Sequence, residues 1–183
     1  MELVDKFDNK RRPLGITRER NEKISGEYRQ AMHCWIMNDI GQFLIQKRSE
    51  TKGSYPGLWG ITGGGTDSGE TTIDTVKREA KEELGIDVDL DKVELMMMMR
   101  GRYTYTDIFL YRANIDLKDI VMQKEEIQEV KWATYREIKK LEEEGKLADN
   151  IARYVDMLIK LIRRDVEKKE NMAEYQKMNL DYF

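Results

Sequence analysis

Gly64-Gly65-Thr66-Asp67-Ser68-Gly69-Glu70-Thr71-Thr72-Ile73-Asp74-Thr75-Val76-Lys77-Arg78-Glu79-Ala80-Lys81-Glu82-Glu83-Leu84-Gly85-Ile86 sets acids where an ordinary helix would not want them. A helix over about Thr72 to Leu84 places Glu79, Glu82 and Glu83 at i, i+3 and i+4, on one face. Like charges at that spacing repel by a few tenths of a kcal/mol per pair, on the order of 0.2–0.5 kcal/mol. Glu82 and Glu83 also fall in the last turn, where the negative end of the helix dipole disfavours anions. Arg78, four residues before Glu82, stands in the weaker order for a stabilising ion pair. A solvated charged face accounts for the composition but not for this arrangement. A bound cation accounts for both, because clustered carboxylates offer hard oxygen ligands to Mg²⁺ or Mn²⁺.

Working outward, Ile73, Val76, Ala80 and Leu84 form a core stripe beside the acids, and Gly85 suits the position just past the helix C-terminus. Before the helix, Leu58 to Thr62 reads as a short strand running into Gly63-Gly64-Gly65, a turn that would let backbone approach a ligand closely. Upstream, Ala31 to Met37 reads as a buried strand, and Asn38 to Gly41 as a turn into a strand from Gln42 to Arg48. Ser49 to Gly57 reads as a loop. Residues 1 to about 24 are polar, with turns expected around Asp8-Asn9 and near Pro13-Leu14-Gly15. Downstream, strands are expected at about Val93 to Arg100, Thr104 to Ile115 and Val130 to Ala133, with Trp132 facing inward. Met96 to Met99 reads as flexible core filling. Tyr103 and Tyr105 could stack on a base or simply pack. Helices are expected from Tyr135 to Glu144 and from Ala148 to about Glu170, where Ile151, Tyr154, Val155, Leu158 and Leu161 recur at helical spacing. That stripe either packs on the domain or makes a homodimer contact.

The chain has 183 residues, 40 % hydrophobic and 37 % charged, which suits a globular domain rather than a disordered one. Residues 1–170 are expected to form one domain and 171–183 a tail. The net charge of −3 gives no global attraction to nucleic acid or to an anionic membrane. One Cys, Cys34, excludes an internal disulfide, and one His, His33, excludes a site of several histidines. No stretch approaches the roughly 18 apolar residues of a membrane span, and Met1 is not followed by a signal-peptide core, so a cytoplasmic location is expected.

The helix and its approach resemble the Nudix box, G-x5-E-x7-R-E-U-x-E-E-x-G-U with U apolar, at every position. The resemblance implies an α/β fold, a Nudix-type α/β/α sandwich with a mixed β-sheet, here with a C-terminal helical extension. It also implies metal-assisted attack of water on a phosphoanhydride. By position, Glu79, Glu82 and Glu83 would ligate metal, with the Gly63 carbonyl. Arg78 would orient the carboxylates, and Glu70 would support them or a metal-bound water. Many members add an acid before the last strand, for which Glu126 stands first and Glu125 and Glu129 are rivals. The implied cofactor is Mg²⁺, with Mn²⁺ as a substitute, and the implied partner is a small-molecule diphosphate.

Ile45-Gln46-Lys47-Arg48-Ser49, Lys52 and Pro56-Gly57-Leu58-Trp59 further resemble the Nudix subgroup related to isopentenyl diphosphate isomerase. In those enzymes an Arg and a Lys at this spacing hold the diphosphate, which points to Arg48 and Lys52. Arg offers a bidentate fork and Lys a mobile charge for phosphate. The match departs where chemistry matters: the isomerase Cys position is Gly64, and the position of its metal-binding His is Arg29. Cys34 reads as core. The expected activity is therefore a metal-dependent pyrophosphohydrolase acting on a nucleoside diphosphate linked to another moiety, or on a similar small diphosphate. A non-catalytic diphosphate-binding module and an isomerase are the alternatives.

Overall fold

The computed structural model describes residues 2–168. Nine strands and four helices run in the order β1 (Leu3–Phe7), β2 (Pro13–Glu19), β3 (Arg29–Met37), β4 (Phe43–Arg48), β5 (Trp59–Gly60), β6 (Thr62–Gly65), α1 (Thr72–Leu84), β7 (Val93–Arg100), β8 (Thr104–Arg112), β9 (Ile127–Ala133), α2 (Tyr135–Glu143), α3 (Asp149–Ala152) and α4 (Val155–Lys168). Seven strands form one sheet in the order β5-β4-β3-β8-β7, with β6 also on β3 and β9 also on β4; β1 and β2 form a separate hairpin. The sheet is mixed, because β3 runs parallel to β8 while its other pairings are antiparallel.

Alternation along β3 sends its side chains to two cores. Met32, Cys34 and Ile36 join Val76, Ala80 and Leu84 of α1 on one face. Trp35 and Met37 join Ile138 of α2 and Val155, Leu158, Ile159 and Ile162 of α4 on the other. The result is an α/β/α sandwich. The α4 stripe is thus spent inside the chain's own core, with Ile162 rather than half-buried Leu161 completing it. Arg153 and Tyr154 interrupt what reads as one helix from Ala148, giving α3 and α4.

β3 and β4 pair only at Met37–Phe43. Beyond that point β4 takes β5 through Gln46–Gly60, and β3 takes β6 through residues 31–34. The β5–β6 segment therefore bridges the opening between two strands. Gly63, Gly64 and Gly65 lie inside this ladder, opposite His33, Met32 and Ala31. The expected glycine turn is thus a strand, fixed by pairing with residues distant in sequence. The polar N-terminal segment folds as the β1–β2 hairpin, and Pro13 opens β2 with Gly15 inside it rather than marking a turn. Long-range polar contacts hold the hairpin: Ser68 Oγ donates to Asp5 at 2.6 Å, Arg20 reaches Asp67 at 2.6 Å, and Arg11 pairs with Asp107. Tyr105 packs beneath it, 5.0 Å from Tyr28, so this ring is spent in packing. Met96, Met97 and Met99 pack on the core, while Met98 is exposed. Trp132 is half-buried and donates to the Ile115 carbonyl at 3.2 Å. The expected tail from Asn171 lies outside the described residues. Among the described residues no helix is long and apolar enough to cross a membrane.

Candidate active site

α1 begins and ends where its side chains dictate. Thr71 caps the N-terminus in a capping box with Asp74, and Gly85 closes it in the left-handed conformation at φ 71°. Between these ends, Val76, Ala80 and Leu84 turn into the core and so fix which way the acidic residues face. Glu83 is buried at 2 % exposure, the Glu79 side chain is 12 % exposed, and the Glu82 side chain is 53 % exposed at the rim. The three acids of one sequence face therefore sit at three depths.

Glu83 points into the gap between β3 and β4. Gln46 Nε2 donates to Glu83 Oε2 at 3.0 Å and to the Ile61 carbonyl at 3.3 Å, and Thr62 Oγ1 donates to Gln46 Oε1 at 3.4 Å. Burial pushes the Glu83 carboxyl up to about 8, opposed by the Gln46 hydrogen bond and assisted by repulsion from Glu79 and Glu126. Glu79 is also raised, first by burial, against the pull of Arg78 and with Glu82 and Glu126 adding to it. Gly64 makes room for Glu79: a Cβ there would stand 2.0 Å from Glu79 Oε1. A Cβ on Gly63 would meet the His33 ring at 2.9 Å and the Met32 carbonyl at 3.0 Å.

Arg78 gathers the surrounding acids. Its Nε donates to Glu70 Oε1 at 2.8 Å, its Nη1 to Glu79 Oε1 at 2.8 Å and Glu82 Oε2 at 3.2 Å, and its Nη2 to the Gly65 carbonyl at 3.1 Å. Burial lifts the Glu70 carboxyl, but the hydrogen bonds from Arg78 and from the Asp67 amide outweigh it and leave it below its usual range.

Glu126 is half-buried immediately before β9 and bears electrostatically on both Glu79 and Glu83, whereas Glu125 and Glu129 are exposed. Arg48 and Lys52 do not converge on a shared point. Arg48 Nε donates to the Ser54 carbonyl at 2.9 Å, and Lys52 Nζ pairs with Glu126 Oε1 at 2.9 Å. An open cleft lined by His33, Arg48, Tyr55, Gly63 and Asn150 adjoins the site.

Sequence alone does not single out Gln46, Thr62 or the His33 network. Gln46 lies within the Ile45–Ser49 resemblance, but only the opening of β3 from β4 shows that it reaches Glu83. His33 is half-buried, yet desolvation of its ring pushes it down to about 4, so it is a neutral imidazole near pH 7. Its Nδ1 lies 2.8 Å from the Tyr154 hydroxyl, which also accepts from Trp35 Nε1 at 3.0 Å. Burial, with Glu83 nearby, pushes the Cys34 thiol up to about 12, which makes it core rather than a nucleophile. Arg29 stands beside Gly65 on β3, with a guanidinium nitrogen 3.1 Å from where a Gly65 Cβ would lie.

The donor set, carboxylates with a peptide carbonyl, suits a hard divalent cation, and burial disfavours the charge of Glu79 and Glu83 without one. As they stand, no three His, Cys, Asp or Glu side chains among the described residues converge closely enough to hold an ion. Arg78 engages Glu79 and Glu82, and Lys52 engages Glu126, so internal cations offset the charge of these acids.

The NUDIX domain family model matches residues 27–154. An uncharacterised Nudix hydrolase from Listeria monocytogenes is 33 % identical over 147 residues, covering 79 % of this chain and 87 % of the relative. The crystal structure of DR0079 from Deinococcus radiodurans superposes with a TM-score of 0.73 at 19 % identity, covering 86 % of this chain and 99 % of that one. The NUDIX domain of Shewanella oneidensis NrtR, solved with ADP ribose, gives a TM-score of 0.60 at 17 % identity, covering 81 % and 93 %. With the intact box on α1 and the mixed sheet between two helical layers, the chain belongs to the Nudix family and is a hydrolase of pyrophosphate bonds.

Proposed function

We propose that this chain is a divalent-metal-dependent pyrophosphohydrolase that cleaves the phosphoanhydride of a nucleoside diphosphate linked to another moiety, or of a similar small diphosphate. One observation carries the reading. Burial opposes the charge that Glu83 and Glu79 would carry as ligands, and it does so beside a Gly64 that leaves no space for a side chain. Stability alone would favour a glutamine at Glu83, since Gln46 already provides its partner. A cation repays that cost.

Glu79, Glu82, Glu83, Glu126 and the Gly63 carbonyl would hold the metal, Mg²⁺ with Mn²⁺ as a substitute. Bound there, it would neutralise the diphosphate and acidify a water ligand. Arg78 keeps Glu79 and Glu82 in place, and Glu70 anchors the other side of its guanidinium. Gln46 fixes the Glu83 carboxylate. Arg48 and Lys52 bring positive charge to the diphosphate, and the neighbouring cleft receives the attached group.

The isomerase-like stretch around Arg48 and Lys52 supports shared diphosphate binding and not shared chemistry. A Cβ at Gly64 would collide with Glu79, so a cysteine there would displace an acid that the hydrolytic site uses. The test is product formation with Mg²⁺, a nucleoside monophosphate and a phosphorylated partner resolved by chromatography, across nucleotide sugars, ADP-ribose, dinucleoside polyphosphates and prenyl diphosphates. A nucleoside diphosphate derivative should be the best substrate, and Arg48→Ala should raise its KM about tenfold, the low end for a charge-assisted contact. Binding of these compounds without turnover of any would make the chain a non-catalytic diphosphate-binding module.

A further inference from the structure

Lys52 and Glu126 are held together from two directions. Their side chains pair at 2.9 Å, each 30 % exposed, and the Ser49 amide donates to the Glu126 carbonyl at 2.7 Å. The Lys52 amide in turn donates to the Ser49 carbonyl at 3.2 Å, closing the loop back on the same point. Glu126 repels Glu79 and Glu83, so Lys52 is the counter-ion on one edge of the acidic group while Arg78 serves the other.

The two cations differ in kind. Arg78 is held by four partners at once, Glu70, Glu79, Glu82 and the Gly65 carbonyl. Lys52 has the Glu126 carboxylate as its only ion-pair partner among the described residues, on a flexible stem that rotates at little cost.

We propose that Lys52 is a positioning residue shared between Glu126 and the substrate. It holds the Glu126 carboxylate at the site until a divalent cation takes that carboxylate over, and it then turns to the diphosphate. Cation binding thereby precedes and promotes diphosphate binding. The inference rests on the assignment of Glu126 and Lys52 proposed above. A carboxylate relieved of its ammonium partner is a stronger ligand for a divalent cation, and an ammonium relieved of its carboxylate is a stronger ligand for phosphate.

Lys52→Met should therefore act with opposite signs in two binding measurements. Mn²⁺ titrated into the metal-free protein without substrate should bind about two- to fivefold tighter than to wild type, the size of a half-exposed ion pair. Methylenediphosphonate, which resists hydrolysis, should bind weaker than to wild type when Mn²⁺ is saturating. If Lys52→Met weakens both, the lysine is merely structural. If Mn²⁺ binding does not tighten, Lys52 is a substrate contact alone; either result overturns the proposal. Glu79→Gln is the control for the underlying reading. Should it bind Mn²⁺ as wild type does, the metal assignment of the whole site fails, and the failure is not specific to Lys52.

Discussion

Glu83 is where a single side chain reports most on function. Its carboxyl, at 2 % exposure, is pushed up to about 8 by burial, whereas an unfolded glutamate titrates near its ordinary value. Between those two values the folded state binds more protons than the unfolded one, so stability falls as pH rises. The slope reaches about 1.4 kcal/mol per pH unit. His33 acts oppositely: held down to about 4, it costs stability as pH drops from its ordinary value through that range. The metal-free protein should therefore lose melting temperature from about pH 6.5 to 8, and Glu83→Gln should flatten that limb while leaving the acid limb of His33. Melting curves across pH for both proteins, with chelator present, check this. Gly64 is the second residue with a sharp consequence. Gly64→Ala drives a methyl to 2.0 Å from Glu79 Oε1, so it should lower activity about 10- to 100-fold with a much smaller loss of stability. Steady-state kinetics beside a melting curve tests both halves.

Among the elements, α1 was readable from its own sequence because its signals are local. Thr71 and Asp74 cap it, Gly85 ends it, and Ile73, Val76, Ala80 and Leu84 face the sheet. The hairpin β1–β2 was not readable, since its stability comes from Asp5–Ser68, Arg20–Asp67 and Arg11–Asp107, all far apart in the chain. Gly63-Gly64-Gly65 reads as a turn for the same reason: without side chains the residues carry no strand signal, and only pairing to β3 makes them one. The juncture of α3 and α4 with β3 offers a test. The Tyr154 hydroxyl meets both Trp35 Nε1 and His33 Nδ1. Tyr154→Phe leaves buried Trp35 Nε1 and half-buried His33 Nδ1 without this partner and should cost about 1–3 kcal/mol of stability, seen in denaturant unfolding.

For the whole molecule, the sandwich brings together parts of the site that lie far apart in the chain. The acids of α1 were legible at once, and so was their family. Which groups restrain them was not, because Gln46, Thr62 and Lys52 reach the acids only through the opening of β4 from β3 and the return of the chain before β9. Glu126, which precedes the last strand, bears electrostatically on Glu79 and Glu83, while Glu125 and Glu129 are exposed. On the proposed function, these restrained acids exist to hold a metal for hydrolysis. Glu79→Gln tests it most directly, because glutamine keeps the shape and can still accept from Arg78 while removing an anion from the repelling group. The measurement is one pair of melting curves, with chelator and with Mg²⁺, joined to turnover of the best substrate. Glu79→Gln should melt at or above wild type in chelator, gain less from Mg²⁺ than wild type does, and lose about 10- to 100-fold in kcat. A variant that melts lower than wild type in chelator and still turns over at the wild-type rate would make the acidic face a structural network and not a metal site.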